Sequence, residues 1–509
     1  MPISHTTAVA LFGLAGTLVD VEADISSNLP SFVLIGLPDA ALNEARDRVR
    51  AAATNSGCPL PNRRLTVNLS PAALPKHGSG FDLAIAMAVL AASGIVSLDS
   101  VARVVHLGEL GLDGRLRPIA GILPAVLAAS RAGAAIVMVP AGNAGEAALV
   151  PGIRVVPVGS LRDAAIWHGG ELQPVEVEAI ESPRVDEPVD EALDLSDIVG
   201  NEDAIEALTI AAAGGHHLFL LGPPGAGKTM LAARLPGLLP DLGADDALEV
   251  SSIRSLSGLP VGARLAVRPP LETPHHTATP ASLVGGGSGV IRPGAAARAS
   301  HGVLFLDEAP EFQPAALDAL RQPLEAGVVT IHRANAVAQF PARFQLVLAA
   351  NPCPCGQYGA TDSDCVCTPN VRRRYLSRLS GPLMDRIDIQ LRISRVTAVR
   401  LRLGDESPSL TSAAARQRVA GARRATAERL ADTPWHLNSE VPGAWLRSKD
   451  RRLAPATTAS IDRALERGGL TMRGYDRVLR LGWSIADLAG VTVPTADHIG
   501  RALYLRRAL

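Results

Sequence analysis

The feature of this sequence that most constrains its fold is a glycine-rich loop placed directly after a short apolar run. The run is Leu218–Leu221, and the residues that follow it at 222–229 read GPPGAGKT. The pattern G-x-x-x-x-G-K-[ST] after a strand is typical of a phosphate-binding loop, because its glycines let successive backbone N–H groups point at phosphate oxygens. Lys228 is one of only three lysines in 509 residues, so a chance match is rare. The sequence therefore predicts a nucleotide site at the end of a buried strand.

The roles of the individual residues follow from the chemistry of the motif. Lys228 would reach the β- and γ-phosphates, and the Thr229 hydroxyl would be a ligand of Mg²⁺. A second apolar run, Val303–Leu306, ends in Asp307 and Glu308. We expect Asp307 in the Mg²⁺ shell and Glu308 as the base that polarises the attacking water. With ATP and Mg²⁺ as ligands, the predicted binding set is Gly222, Pro223, Pro224, Gly225, Ala226, Gly227, Lys228, Thr229 and Asp307.

Two further polar residues are candidates for catalysis. A third apolar run at 344–349 leads to Asn351, which we expect to orient the water or to contact the γ-phosphate. Residues 379–386, LSGPLMDR, place Arg386 near the end of a predicted helix. A guanidinium delivered by a neighbouring subunit stabilises a transferring phosphoryl group, so Arg386 is a candidate for that role. An ordinary surface ion pair is the alternative.

Composition and patterning divide the chain into three folded parts and a linker. An apolar fraction of 47% with 19% charged residues excludes a structureless chain, and 509 residues predict two to four domains. Residues 171–197 hold ten acids, three prolines and one arginine, which is typical of an extended linker; an irregular surface strand is the alternative. Residues 198–395 carry runs typical of a parallel sheet covered on both faces, and 396–509 are predicted to be helical. Residues 1–170 are α/β or α+β, with strands at 32–35, 65–69, 104–107 and 136–139 and helices at 39–55 and 82–92.

Charge and targeting signals limit the partners and the location. The net charge is −1, so any surface for nucleic acid must be local. Residues 371–430 carry fourteen arginines against five acids, which indicates either a phosphate-binding surface or a set of solvated helix faces. The first twenty residues lack the features of a signal peptide, and no stretch reads as a membrane span, so we expect a cytoplasmic protein without a membrane partner.

Four of the five cysteines lie within fifteen residues, at Cys353, Cys355, Cys365 and Cys367. Four thiolates can close a tetrahedral Zn²⁺ site and leave no open position, so the predicted role is structural. Disulfides are disfavoured in a reducing compartment, and free thiols are the alternative.

The order of these motifs resembles that of an AAA+ ATPase. The long segment 255–300, which contains PHHTA at 274–278 and LVGGG at 283–287, is similar to the insertion of the magnesium-chelatase-like branch. NPCPCG at 351–356 and the run 374–386 resemble the competence-associated ComM (YifB) family more narrowly, and the likeness covers essentially the whole chain.

The resemblance implies further roles. It makes Arg386 the finger that acts in trans, and it makes Arg473, in LTMRGY at 470–475, the sensor arginine of a helical lid; an arginine on a helix surface is the alternative for Arg473. It also implies a hexameric ring in which the hairpin 328–344 lines a channel. The candidate DNA contacts on that hairpin are His332, Arg333 and Arg343.

The amino-terminal 170 residues resemble the proteolytic domain of Lon, through LPKHGSGFD at 74–82 and GELGLDGRLRP at 108–118. A serine nucleophile with a lysine base would make such a domain an enzyme. The alignment instead places Gly80 and Leu123 at those two positions, with Ser79 and Lys76 nearby. We therefore expect an inactive domain; the RadA branch-migration protein resembles Lon in the same way.

The leading hypothesis for function is a ring-forming, ATP-dependent DNA motor of the helicase or branch-migration type, acting on single-stranded or branched DNA in recombination or natural transformation. The alternative is an ATP-driven, chelatase-type subunit that remodels a partner protein. An active Lon-like protease is a third reading, and it needs a Ser–Lys pair that the sequence does not supply.

Overall fold

The computed structural model describes residues 3–36, 39–182, 193–287, 291–333, 336–359, 365–396 and 410–506. Along the chain these residues form an amino-terminal unit on a mixed sheet, a central unit on a parallel sheet, and a carboxy-terminal set of helices. This order confirms the predicted α/β class with a parallel core and a helical end. The acidic segment has no regular structure over 171–182 and ends in the short 3-10 turn Leu195–Asp197; its middle, 183–192, lies outside the described residues.

The described residues of the amino-terminal unit form nine strands. They are β1 (Ser4–Phe12), β2 (Ala15–Ser26), β3 (Ser31–Ile35), β4 (Arg64–Ser70), β5 (Val105–His106), β6 (Glu109–Leu110), β7 (Leu116–Arg117), β8 (Ile136–Pro140) and β9 (Arg154–Val158). Seven form one sheet in the order β3-β4-β2-β1-β5-β8-β9, while β6 pairs with β7. β1 and β2 make a long antiparallel hairpin, and buried residues alternate with more exposed ones along β2, as expected when one face of a strand packs on the core.

One helix of this unit is buried along its whole length. Asp82–Ala92 has a single charged residue at its start and otherwise only apolar side chains. The buried Asp82 carboxylate accepts hydrogen bonds from Arg48 Nε at 2.7 Å and Nη2 at 2.9 Å, because a buried charge needs a partner. The other helices of the unit are Ala40–Asn43, Ala45–Asn55, Leu98–Val101, Ile122–Arg131, Ala144–Ala147 and Leu161–Trp167.

The central unit is a five-stranded parallel sheet. Its strands and the short pairs inserted between them are β10 (Leu218–Leu221), β11 (Leu271–Glu272), β12 (Gly285–Gly286), β13 (Arg292–Pro293), β14 (Val303–Leu306), β15 (Val328–Arg333), β16 (Ala336–Pro341), β17 (Gln345–Ala350) and β18 (Ile389–Arg392). The sheet order is β11-β14-β17-β10-β18, all parallel, and every residue of β10, β14 and β17 is buried. The carboxyl ends of these three strands therefore meet at one edge of the sheet.

Helices surround the central sheet and complete the chain. Those of the central unit are Glu202–Gly214, Lys228–Leu238, Ala244–Leu256, Pro280–Val284, Ala295–Arg298, Pro314–Ala319, Arg321–Ala326, Pro369–Leu376 and Gly381–Met384. Those of the carboxy-terminal set are Ser412–Arg429, Gly443–Leu446, Pro455–Glu466, Met472–Leu488 and Ala496–Tyr504. Over 410–506 there is no strand, and among all the helices that the structure describes none is both long and apolar enough to cross a membrane.

The amino-terminal unit docks onto the hairpin formed by β15 and β16. The turn between β1 and β2 contains Gly13, with φ +63°, and a Cβ at this glycine would lie 2.4 Å from the Gln339 carbonyl oxygen. Phe340 is fully buried in a small apolar cluster to which Leu11 and Leu14 contribute. A second contact joins two helix ends, where Gly121 N donates to Ser255 O at 3.0 Å.

Two histidines form a buried hydrogen-bonded chain in the amino-terminal unit. His106 Nε2 and His168 Nε2 lie 2.9 Å apart, and the outer nitrogens contact Thr6 Oγ1 at 2.7 Å and Ser100 Oγ at 2.8 Å. Burial lowers the pKa of His168 to about 4, and burial together with the neighbouring His168 lowers the pKa of His106 well below its usual value. Both rings are therefore neutral in the folded protein.

Acidification should destabilise this unit between pH 6.5 and about 4. Below pH 6.5 the unfolded chain binds protons at these histidines, whereas the folded chain keeps His168 neutral down to about pH 4. His168 alone should lower the free energy of unfolding by about 3 kcal/mol over this range, and His106 adds to the fall in the same direction. Urea unfolding followed by hydrogen exchange in β1 and β5 measures the effect. The variant His168→Asn should give a flatter pH slope, whatever its absolute stability, and equal slopes would contradict the expectation.

Candidate active site

The phosphate-binding loop joins the end of β10 to the helix Lys228–Leu238. Gly225 and Gly227 have φ values of +76° and +87°, which favour glycine, and nothing lies within 4 Å of where their Cβ atoms would be. The loop therefore leaves open space on this side, as a phosphate group requires. Its first residue is tied to the sheet, because Gly222 N donates to Ala350 O at 3.1 Å.

The Lys228 side chain lies inside the loop. Its Nζ donates to the carbonyl oxygens of Gly222 at 2.7 Å and Pro223 at 3.1 Å, and to Asn351 Oδ1 at 3.0 Å. Burial lowers the pKa of Lys228, while the carboxylates of Asp307 and Glu308 oppose that shift. The structure thus brings Asn351 to the lysine of the loop, from the end of the neighbouring strand β17.

The two residues expected to hold Mg²⁺ are in contact. Thr229 Oγ1 donates to Asp307 Oδ2 at 2.8 Å, and the other carboxylate oxygen accepts from Glu308 N at 2.9 Å. Mg²⁺ prefers oxygen ligands and binds through one or two carboxylates with substrate phosphates and water. This pair therefore fits the ion, whose chemistry would be to neutralise phosphate charge.

Glu308 lies at the edge of the site in an unusual backbone conformation. Its φ is +50°, a left-handed value that is rare for a residue with a side chain. Its half-exposed carboxylate lies 3.6 Å from His276 Nδ1. His276 belongs to the PHHTA segment, and no motif in the sequence assigns it a role. Its place after β11, which neighbours β14, brings it to Glu308.

Arg386 and Arg473 contact acids that lie outside the phosphate-binding loop. The Arg386 guanidinium bonds to the Glu325 carboxylate and to the Pro382 carbonyl oxygen, and Arg473 Nη1 lies 3.6 Å from Asp385 Oδ2. Within the described part of the chain, neither arginine has a polar contact with residues 222–229. The two arginines are therefore near each other and are paired with acids of their own subunit.

The candidate DNA contacts are spread along the hairpin. His332 is exposed and pairs with Val337 close to the tip, whereas Arg343 is exposed beyond the base, where its carbonyl oxygen accepts from His301 N at 2.7 Å. Their separation along the hairpin is roughly 13 Å or more, at about 3.3 Å per residue. The backbone of Arg333 lies at the end of β15, and its side chain lies outside the described residues.

Many arginines of the segment 371–430 have structural partners. Arg423 donates to Ala212 O, Arg429 pairs with Asp487, and Arg416 pairs with Asp241. Arg373 and Arg374, on the helix Pro369–Leu376, are exposed. The positive charge available to a ligand is thus smaller than the composition indicates, and part of it, at Arg373 and Arg374, lies next to the cysteine segment. Residues 397–409, which include two more arginines, lie outside the description.

The four cysteines come together. Their sulfur atoms all lie within 4.8 Å of one another, with Cys353 Sγ 3.3 Å from Cys355 Sγ and 3.8 Å from Cys365 Sγ. Four sulfurs placed tetrahedrally about 2.3 Å from Zn²⁺ are about 3.8 Å apart, so the donor set and its spacing fit that ion. Cys353 is buried and Cys355 is exposed.

A cavity of about 460 Å³ lies between the central unit and the carboxy-terminal helices. No sequence motif points to it, because its walls come from separate segments and combine apolar residues with Glu202, Glu206 and Arg418. The walls include Ile198, Val199, Gly200, Ile205, Leu410, Ile485 and Leu488. Arg234 lies on the helix that follows the phosphate-binding loop, and its side chain donates to Asp194 O and to Asp197. These bonds hold the segment just before Ile198 against that helix.

The Lon-like features of the amino-terminal unit do not form a Ser–Lys pair. Lys76 is fully buried and its Nζ donates to the carbonyl oxygens of Gly36, Leu69 and Pro71. Ser79 Oγ instead bonds to the Glu109 carboxylate. Within the described residues of this unit, Ser79 and Lys76 are therefore not placed to act together as a nucleophile and its base.

Three family models match successive parts of the chain. The model described as "Subunit ChlI of Mg-chelatase" matches residues 21–143, "Magnesium chelatase, subunit ChlI" matches 194–401, and "Magnesium chelatase, subunit ChlI C-terminal" matches 409–506. The sheet order, the loop and the carboxylate pair accordingly define an AAA+ ATPase of the magnesium-chelatase type.

Relatives match over nearly the full length. The uncharacterized protein Rv2897c of Mycobacterium tuberculosis is 50% identical over 509 residues, covering 100% of this chain and 99% of that protein. The competence protein ComM of Haemophilus influenzae is 41% identical over 508 residues, covering 99% and 98%. The uncharacterized protein YifB of Escherichia coli is 39% identical over 512 residues, covering 99% and 97%. The chain belongs to the ComM (YifB) family of AAA+ ATPases.

A part of the chain is also similar to Lon. The Lon protease of Mycolicibacterium smegmatis is 30% identical over 178 residues, which are 33% of this chain and 22% of that protein. This partial likeness agrees with the Lon resemblance of the amino-terminal motifs.

Replacing Glu308 by glutamine should leave ATP binding intact and lower the rate of hydrolysis at least about 100-fold, because the amide cannot accept the proton of the attacking water. Nucleotide affinity and steady-state phosphate release measure the two effects. Glu311→Gln is the matched control, since that carboxylate pairs with Arg378 at 3.3 Å. Hydrolysis by Glu308→Gln at the wild-type rate would show that Glu308 is not the base.

Proposed function

We propose that this chain is a ring-forming ATPase that moves along single-stranded or branched DNA, as a helicase or branch-migration motor in recombination or natural transformation. The observation that carries the proposal is the separation of the site into two parts. The loop, the proposed Mg²⁺ ligands and the proposed base lie together, whereas Arg386 and Arg473 contact Glu325 and Asp385. A site of this kind is completed when a second copy presents its arginines.

In this arrangement each residue has a role in hydrolysis. Lys228 would leave the loop carbonyls for the β- and γ-phosphates, and Thr229 with Asp307 would hold Mg²⁺. Glu308 would accept the proton of the attacking water, and Asn351 would orient that water. The cavity between the central unit and the carboxy-terminal helices is the place we assign to the base of the nucleotide.

Ring assembly would bring Arg386 and Arg473 to the γ-phosphate of the adjacent subunit. For Arg386 this requires that the ion pair with Glu325 be released or shared. A motion of the carboxy-terminal helices, which carry Arg473, would then be coupled to the state of the nucleotide. We take a hexamer as the size of the ring.

The DNA part of the proposal is supported by the relative named as a competence protein and by two positive features. The first is the hairpin of β15 and β16, with His332, Arg333 and Arg343. The second is the exposed pair Arg373 and Arg374. Contacts of this kind neutralise phosphates and should make binding sensitive to salt. The proposed location is the cytoplasm, where DNA and ATP are both available.

We also propose that the cysteines bind one structural Zn²⁺ per chain and that the Lon-like unit is a scaffold without peptidase activity. The sulfur geometry supports the first proposal, and the hydrogen bonds of Lys76 and Ser79 support the second.

All three family models carry the magnesium chelatase description, which favours one other candidate function, a subunit that uses ATP hydrolysis to remodel a partner protein.

The variant Arg386→Ala should bind ATP normally and hydrolyse it about 1,000-fold more slowly, because the guanidinium acts only on the transferring phosphoryl group. Mixing it with Lys228→Ala should restore part of the activity, since some interfaces then combine an intact loop with an intact arginine. Arg378→Ala is the control, an exposed arginine on a neighbouring segment. Absence of rescue in mixed rings would contradict action in trans.

DNA should stimulate steady-state ATP hydrolysis, and Glu308→Gln should abolish the stimulated rate. The measurement compares single-stranded, duplex and four-way-junction DNA. Arg333→Ala should weaken binding to every sequence and lower the salt slope by about one, whereas Arg416→Ala, which removes an arginine paired with Asp241, should leave the slope unchanged. Hydrolysis that is indifferent to every DNA would instead favour the protein-remodelling function.

A further inference from the structure

The cysteine segment packs directly against the phosphate-binding loop. The contact is made by Gly356, which immediately follows Cys355: a Cβ at this glycine would lie 2.7 Å from both Cγ and Cδ of Pro224. Gly356 also has φ +76°, so glycine is favoured both by its backbone and by the nearness of the proline ring. The position of Pro224 thus depends on the position of the residue next to Cys355.

Two hydrogen bonds join the same region to the loop, and a third holds the loop from Arg395, which follows β18. Gly222 N donates to Ala350 O at 3.1 Å, Lys228 Nζ donates to Asn351 Oδ1 at 3.0 Å, and Arg395 Nε donates to Pro224 O at 3.1 Å. Ala350, Asn351 and Gly356 are close in sequence, with two of the cysteines between them. The segment that leads into and through the cysteines therefore contacts the loop at its first residue, at Pro224 and at Lys228.

The cysteine segment has little regular structure of its own. Residues 352–359 form neither helix nor strand. Tyr358 N donates to Cys353 Sγ at 3.4 Å, and the Arg372 guanidinium lies 3.6 Å from the centre of the Tyr358 ring. Such contacts are individually weak. A metal ion bound by Cys355, Cys365 and Cys367 would link the beginning of the segment to its end.

We infer that the four-cysteine centre, with Zn²⁺ bound, braces the tip of the phosphate-binding loop at Pro224 and thereby sets the affinity of the site for nucleotide. The inference rests on the nucleotide and zinc sites proposed above. A loop held in its binding conformation loses less conformational freedom when phosphate binds, which strengthens binding without any direct contact to the ligand. Loss of the ion would release Gly356 and with it Pro224.

The test compares Cys355→Ala with Cys58→Ala in the full chain. Cys58 is a buried cysteine of the amino-terminal unit and lies outside the cluster. Zinc content is measured by mass spectrometry, and affinity is measured with a fluorescent ADP analogue in excess Mg²⁺. We expect one zinc per chain in the wild type and in Cys58→Ala. We expect none in Cys355→Ala, with affinity weakened about tenfold, the effect of ordering about one residue.

A second variant and a reversal separate bracing from misfolding. Gly356→Ala keeps all four cysteines, so it should keep zinc while weakening nucleotide binding, because its methyl group pushes on Pro224. Removing zinc from the wild type with a chelator that spares Mg²⁺ should weaken binding, and adding Zn²⁺ back should restore it.

Four outcomes would overturn the inference, in three different ways. Unchanged affinity after zinc loss would refute the brace alone, and so would wild-type affinity in Gly356→Ala. A wild type that binds nucleotide but contains no zinc would refute the metal site. A zinc-loaded wild type that binds no nucleotide would refute the proposed function itself.

Discussion

The structure of the central unit depends on one buried ammonium. Lys228 is almost inaccessible to water, so its Nζ must find hydrogen-bond acceptors within the protein. Two are carbonyl oxygens of its own loop, but the third is Asn351, which reaches it only because β17 pairs with β10 with Leu221 opposite Ala350. β14 pairs with the other side of β17 and brings Asp307 to the neighbouring Thr229. The pairing of β10, β17 and β14 thus determines which side chains surround the Lys228 ammonium and the neighbouring Thr229.

The parts of the site that the sequence predicted are those that lie at strand ends. Lys228, Asp307 and Asn351 each follow an apolar run closely, and parallel strands bring such positions to one edge without knowledge of long-range contacts. The cysteines could be grouped because they are close in sequence. His276 could not be assigned, since its contact with Glu308 depends on β11 lying beside β14.

Composition was the least reliable guide to function. Fourteen arginines between 371 and 430 indicate either a phosphate-binding surface or a set of solvated helix faces, and neither describes Arg423, which donates to a backbone carbonyl, or Arg429, which lies against Asp487. A count of residues carries no information on the direction of side chains, which depends on how the helices pack. In the amino-terminal unit, the helical spacing of the apolar residues correctly predicted the helix at 82–92. The same spacing predicted one helix over 39–55, which the structure divides into Ala40–Asn43 and Ala45–Asn55.

The docking of the amino-terminal unit on the hairpin has a consequence for how the chain can be divided. Phe340 and Ala338 are fully buried, in a cluster to which Leu11 from the end of β1 and Leu14 from the turn between β1 and β2 contribute. A truncated protein that begins after the acidic segment would leave these apolar side chains facing water. Such a fragment would be prone to self-association, and its oligomers would not report on the assembly of the whole chain.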